Sequence, residues 1–147
     1  MLNNGPELSN IEIDKWGFKN IPGFLGCINK NEFPVIYKKM NPGNSVVINL
    51  DPDYKRGGTH WTALRIGMDA PVIYYKDSFG VGPPQIITDT IYNTKLRGNI
   101  SRGLLYGDTK RQKLTETNCG FRAAIFLKNM DNAHKNGKEI EFYKSIA

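Results

Sequence analysis

The chain has 147 residues, 39% hydrophobic and 23% charged, and its 20 Lys and Arg against 14 Asp and Glu give a net charge of +6. This length suffices for one hydrophobic core, so a single domain over 1–147 is expected, and the two cysteines, Cys27 and Cys119, offer neither a disulfide framework nor zinc-ligand spacing. Met1 to Gly5 lacks the basic start and apolar run of a secretory leader and no apolar stretch is long enough to span a bilayer, so the expectation is a soluble intracellular protein in a reducing compartment, neither secreted nor membrane-bound.

In chain order, Leu8 to Trp16 has Ser9 or Asn10 as a capping residue ahead of mixed apolar and acidic positions, which predicts a short helix. Phe24 to Ile28 is a brief apolar run fit for an edge strand, and its Cys27, with no histidine or basic neighbour nearby, reads as structural. Pro34, Pro42 and Gly43 punctuate the stretch before the next apolar run. Ser45 to Leu50 is the clearest strand, β-branched and bounded by turn residues. After a polar loop, His60 to Ile66 and Val72 to Lys76 predict an antiparallel hairpin around the five-residue loop Gly67-Met68-Asp69-Ala70-Pro71. Ile86 to Leu96 is expected to be helical and Gly103 to Gly107 to hold one more short strand. From Cys119 to Met130 nearly every position is apolar or small, which predicts a central helix buried on most of its circumference, capped by Asn118 or Thr117 and stopped at Gly137.

Cys119 falls in the first turn of that helix, where unpaired N–H groups and the positive end of the helix dipole favour a thiolate. A lone cysteine is more often a small buried apolar residue, so the case for a nucleophile depends on its neighbours. The chain has two histidines. His134 lies fifteen residues along the same predicted helix, about 22 Å away at 1.5 Å per residue, and reads as a cation near the helix C-terminus. His60, which alone would pass for a surface-loop histidine, is left as the candidate base. If Ile66 pairs with Val72, partner numbers sum to about 138 and His60 faces position 78, which brings Asp77 beside it and puts Asp69 at the far end. A carboxylate there orients the imidazole, although Asp77 also suits the cap of a turn at Ser78-Phe79-Gly80. For the oxyanion, the candidates are the Cys119 N–H together with Gln112, or with Asn118, for which a cap is the plainer role.

The order His60, Asp77, Gln112, Cys119 resembles that of the adenovirus-type (adenain-like) maturation proteases, members of the wider clan that includes the SUMO-deconjugating proteases. Gly58-Thr59-His60-Trp61 is similar to the family's Gly-x-His-Trp, and Tyr74 to Gly80 to its strand ending in an acidic residue followed by x-Phe-Gly. The seventeen-residue step from His60 to Asp77, the seven-residue step from Gln112 to Cys119, and Gly23-Phe24-Leu25-Gly26 with Phe33-Pro34 resemble it as well. The likeness runs from about Phe24 to Met130, with Asp77 where the adenoviral enzyme has Glu and the deconjugases have Asp.

The resemblance implies an α+β, papain-like (Ulp1-like) cysteine protease fold, with a small mixed or antiparallel sheet packed on the helix that bears the catalytic cysteine. It implies a cysteine endopeptidase with a His60–Asp77–Cys119 triad, Gln112 as oxyanion donor, and Trp61, otherwise an ordinary core aromatic, flanking the substrate groove. Viral capsid or core precursor polypeptides are the substrates this implies, cleaved in the virion or inside the host cell, in cytoplasm, viral factory or nucleus. The chemistry needs no cofactor, and stimulation by DNA or a viral peptide is the family analogy. The chain stops soon after the central helix, so what longer relatives build there is expected to be absent or reduced. The alternatives are a deconjugase for a ubiquitin-like modifier, acyl transfer on the same scaffold, and a basic nucleic-acid-binding module in which His60 and Cys119 are structural. The last rests on the +6 charge, which is dispersed without a DNA-reading motif and equally suits a solvated surface or non-specific DNA contact.

Overall fold

A computed structural model describes residues 9–50, 60–93, 102–107 and 118–147. Among them lie helix α1 (Asn10–Asn20), strand β1 (Phe24–Asn29), a one-turn 3-10 segment (Lys30–Glu32) running into α2 (Phe33–Tyr37), and β2 (Ser45–Asn49). Next come β3 (Trp61–Ile66), β4 (Val72–Lys76), α3 (Gln85–Tyr92), β5 (Gly103–Tyr106), α4 (Cys119–Lys135) and α5 (Glu139–Ile146). Ser9 starts α1 with a reciprocal capping box, its side chain accepting from the Glu12 N–H while Glu12 reaches back to the Ser9 N–H. Gly137, at φ +69°, ends α4 by donating to the His134 carbonyl while Lys138 donates to that of Ala133.

The sheet is mixed, in the order β1-β2-β3-β4-β5, parallel at both outer pairs and antiparallel at the two inner ones. Strand alternation splits its side chains between two cores. Val47, Trp61, Ala63 and Tyr74 pack with α1, α4 and α5, whereas Val46, Ile48, Leu64, Ile66, Ile73, Tyr75 and Leu104 pack with Phe33 and Tyr37 of α2 and Ile87 and Ile91 of α3. Every residue of β2 and β3 is therefore buried, and the short α2 and the terminal α5 add cover that the sequence pattern did not predict. Proline at the start of α2 costs no intrahelical bond and presets φ, so Pro34 begins a helix rather than only punctuating the chain.

The hairpin register differs from expectation by one residue. Ile66 pairs with Ile73, not Val72, because the Gly67 N–H donates to the Val72 carbonyl at 2.8 Å and so closes a four-residue loop, Met68 to Pro71. The loop is held from outside by a buried carboxylate. Glu139, at the start of α5, receives the N–H groups of Met68 and Asp69 at 3.0 and 3.2 Å. It also accepts from Arg65 Nε at 3.0 Å, with both side chains 1% exposed or less. Asp69 in turn bonds His134 at 2.7 Å. At the other end of α5, the Lys76 ammonium donates to the Ile146 carbonyl, and the Tyr143 hydroxyl sits 2.8 and 3.1 Å from the carbonyls of Tyr75 and Leu105. Helix α5 thus fixes both ends of the β3–β4 hairpin, the end that Asp77 follows included.

Glu139→Ala leaves the Arg65 guanidinium buried without its counter-ion, so it should cost about 3–5 kcal/mol in a denaturant-unfolding measurement. A loss below about 1 kcal/mol, the range of an exposed ion pair, would mean that the cluster does not hold the hairpin.

Candidate active site

Antiparallel pairing of β3 and β4 places the start of one beside the end of the other, so His60, just before β3, meets the turn after β4. His60 Nε2 lies 2.9 Å from Asp77 Oδ2. The second carboxylate oxygen, Oδ1, accepts the Phe79 N–H at 2.8 Å, and Gly80, at φ +72°, donates to the Asp77 carbonyl. Asp77 is therefore both imidazole partner and turn cap, with one oxygen for each role. Extending the observed register, whose partner numbers sum to 139, puts Phe79 opposite His60, and the Phe79 ring stacks on the imidazole with centroids 4.8 Å apart. The spacing placed Asp77 correctly but gave Phe79 no role; its position in x-Phe-Gly was the available signal.

Cys119 opens α4 and is buried at 3% exposure. The Trp61 N–H points at its sulfur from 3.4 Å. Gly120 lies close under Ile13 and Trp61: a Cβ there would meet Ile13 Cδ1 at 2.9 Å and Trp61 Cδ1 at 3.1 Å, so those side chains would have to shift. Trp61 is 5% exposed within the core beneath α4, and it lines a pocket that Cys119 also lines.

The electrostatics centre on His60. Burial alone would lower its pKa, but hydrogen bonding and charge from Asp77, and then from Cys119, outweigh burial and raise it from 6.5 to about 9. Asp77 occupies Nε2, and the other ring nitrogen, Nδ1, is buried and makes no hydrogen bond among the described residues.

Asn118 stands at the N-cap position without making a side-chain cap; its Oδ1 instead accepts from Arg122 Nε at 3.2 Å, one turn along the helix. The capping role expected of it is therefore not the one it plays. Gln112 and Thr117 lie outside the described residues, as do Gly58 and Thr59 of the Gly-x-His-Trp segment. Cys27 is half-buried and its thiol is pushed up, first by burial and then by the nearby Asp14, which also accepts the Cys27 N–H at 2.7 Å. It is held as a protonated, structural thiol. His134 is in the last turn of α4, paired with the Asp69 that the hairpin geometry had excluded as a partner of His60. Among the described residues no cluster of three His, Cys, Asp or Glu is placed to hold a metal, and no helix is long and apolar enough to cross a membrane.

The fold matches solved structures. The ASFV pS273R protease superposes with a TM-score of 0.54 at 22% identity, over 87% of this chain and 60% of that one. The SUMO protease Ulp1, in a form whose catalytic cysteine is oxidised to a sulfonic acid, gives 0.52 at 17% identity over 83% and 65%. The central domain of the Lpg1148 protein from Legionella pneumophila gives 0.50 at 11% identity over 96% and 85%. This chain thus spans about three-fifths of the length of the first two, and its fold is the Ulp1-like α+β fold, with Cys119 on helix α4. No protein-family model matches the sequence, and no curated protein matches it in sequence.

NMR titration of His60 should give a midpoint near 9. In Asp77→Asn it should fall well below that, because burial is then opposed by Cys119 alone. Since the folded-state pKa is raised, the stability this group contributes is fully present below 6.5 and is lost as pH rises through about 9. A midpoint that the Asp77 change leaves in place would contradict the assignment.

Proposed function

We propose that this chain is a cysteine protease in which Cys119 is the nucleophile, His60 its acid–base partner and Asp77 the carboxylate that orients and charges the imidazole. The observation that carries the reading is the 2.9 Å His60–Asp77 bond, which turns the other edge of a ring with pKa raised to about 9 toward a cysteine at a helix N-terminus. A histidine protonated across the neutral range stabilises a thiolate beside it, and the positive end of α4 acts in the same direction.

The Cys119 thiolate attacks the substrate carbonyl carbon, and the C=O electron pair moves onto oxygen. The Cys119 N–H at the start of α4 and the Gln112 amide receive that charge. As the oxyanion collapses, the C–N bond breaks and protonated His60 gives its proton to the departing amine. A water, deprotonated by His60, then attacks the thioester carbon and expels the Cys119 thiolate, restoring the ion pair. Stacking on Phe79 and the bond to Asp77 limit how far the imidazole can swing between these transfers.

Viral precursor polypeptides are the proposed substrates. The support is the Gly-x-His-Trp and Asp-x-Phe-Gly segments, with the spacing of Gln112 before Cys119, all of which resemble the adenovirus-type maturation enzymes. Deconjugation of a ubiquitin-like modifier is the second reading, favoured by one feature, an aspartate rather than a glutamate at position 77. Both use the same four residues. Stimulation by DNA or a viral peptide, and action within the virion or host cell, belong to the first reading.

Purified protein should be assayed on virion precursor polypeptides and on a ubiquitin-like fusion, alongside Cys119→Ala and Asp77→Asn. Cleavage is expected to vanish in Cys119→Ala, with circular dichroism unchanged, and kcat/KM to drop about 10²–10⁴-fold in Asp77→Asn. The alkaline limb of the wild-type profile is expected near pH 9, where His60 loses its proton. Cleavage that survives Cys119→Ala would refute the reading, and the substrate cleaved separates its two forms.

A further inference from the structure

Helices α4 and α5 each carry an apolar pair one turn apart, Phe121 with Ile125 and Phe142 with Ile146. Side chains four residues apart lie on one face of a helix, so each helix presents a short apolar ridge. Both ridges line a single pocket of about 360 Å³ that also has Cys119 in its wall. All four side chains are only half-buried, whereas Ala124, Leu127 and Met130 elsewhere on α4 are 0% exposed. The incompletely covered apolar surface therefore belongs to the stretch of α4 that begins at the sulfur. Pockets that bind small molecules run from about 300 to 1,000 Å³, so this one suits one or two side chains, not the face of a folded partner.

We propose that this pocket is a substrate subsite for a bulky aliphatic or aromatic side chain of a residue flanking the bond that is cut. The assignment rests on Cys119 as nucleophile for its place in the reaction, while the apolar ridges come from residues outside the His60–Asp77–Cys119 set. It makes α5 part of the substrate-binding surface as well as a clasp on the hairpin. The same helix that receives the Lys76 ammonium and bridges β4 to β5 through Tyr143 thereby sets the width of the pocket.

The test has two arms. In the first, Cys119→Ala protein with ¹³C-methyl isoleucine is titrated with N-acetyl-leucine amide and with N-acetyl-aspartate amide. The Ile125 and Ile146 methyls should shift saturably with the leucine derivative and not with the aspartate one, while Ile48 and Ile73, in the opposite core, stay unmoved. Absent or equal shifts would overturn the subsite. In the second, a positional-scanning peptide library is cleaved by wild type, Phe142→Ala and Asn129→Trp, the last at an exposed position on the rim where folding is not at risk. One position beside the scissile bond should show an apolar preference. Phe142→Ala should move it toward larger side chains and Asn129→Trp toward smaller ones, by about tenfold in relative kcat/KM. A preference identical in all three proteins would overturn the subsite and leave the nucleophile standing. Selective leucine binding without any wild-type cleavage would refute the protease, and the substrate subsite with it, and leave only an apolar binding pocket.

Discussion

An imidazole fixed on one side by a buried carboxylate and exposed on the other to a sulfur at a helix N-terminus is the interaction on which the rest of the site depends. Its cost is desolvation of His60, which burial would push toward the neutral form. That push is reversed by the placement of Asp77, 3% exposed and with both oxygens used, one for the ring and one for the turn it caps. Neither residue could hold this geometry by itself. It comes from the β3–β4 register, and that register is set at the far end of the hairpin, where Gly67 closes the loop and Glu139 takes up the loop amides.

The two ends of the hairpin are thus a mechanical unit. Arg65, Glu139, Asp69 and His134 form a polar cluster at one end, and His60 and Asp77 a second at the other, next to Cys119. Helix α5 spans the two ends, with Glu139 at its start in the first cluster and Ile146 at its end accepting from Lys76, the residue before Asp77. Helix α4 likewise runs from Cys119 to the turn that bears His134. A carboxylate with its cation in the interior is a weak source of net stability but strongly resists loss of one partner. That makes it a suitable device for fixing a register, where the penalty for slippage matters more than the net gain.

Much of this was legible in the sequence, and for identifiable reasons. The central strands are short β-branched runs bounded by turn residues, and α4 carries an apolar pattern with a glycine stop, so local chemistry agrees with the fold. The catalytic candidates followed from scarcity, since two histidines and two cysteines leave few combinations, and from hairpin arithmetic that a one-residue error did not spoil. The error arose because Gly67 was assigned to the loop, although its N–H completes the ladder. Other features were not legible because they depend on three-dimensional pairing alone. Nothing in the spacing of Arg65 and Glu139, 74 residues apart, announces their contact. The stacking of Phe79 and the choice of Asn118 to bond Arg122 rather than cap its helix are likewise decided by which groups happen to meet. Helix α5 is short, with Glu139, Glu141 and Lys144 among its eight residues, and it packs through Tyr143 and the ion-paired Glu139 with partly buried Ile140, Phe142 and Ile146.

The central claim, that His60 holds Cys119 as an ion-paired nucleophile, is tested most directly by the reactivity of the two cysteines toward iodoacetamide. Alkylation of Cys119 and Cys27 should be followed by mass spectrometry across pH in wild type and His60→Ala. The account predicts that Cys119 is labelled far faster than Cys27 and that its labelling slows sharply without His60, with Cys27 slow in both proteins. Labelling of Cys119 that is as slow as that of Cys27 and indifferent to His60 would contradict it.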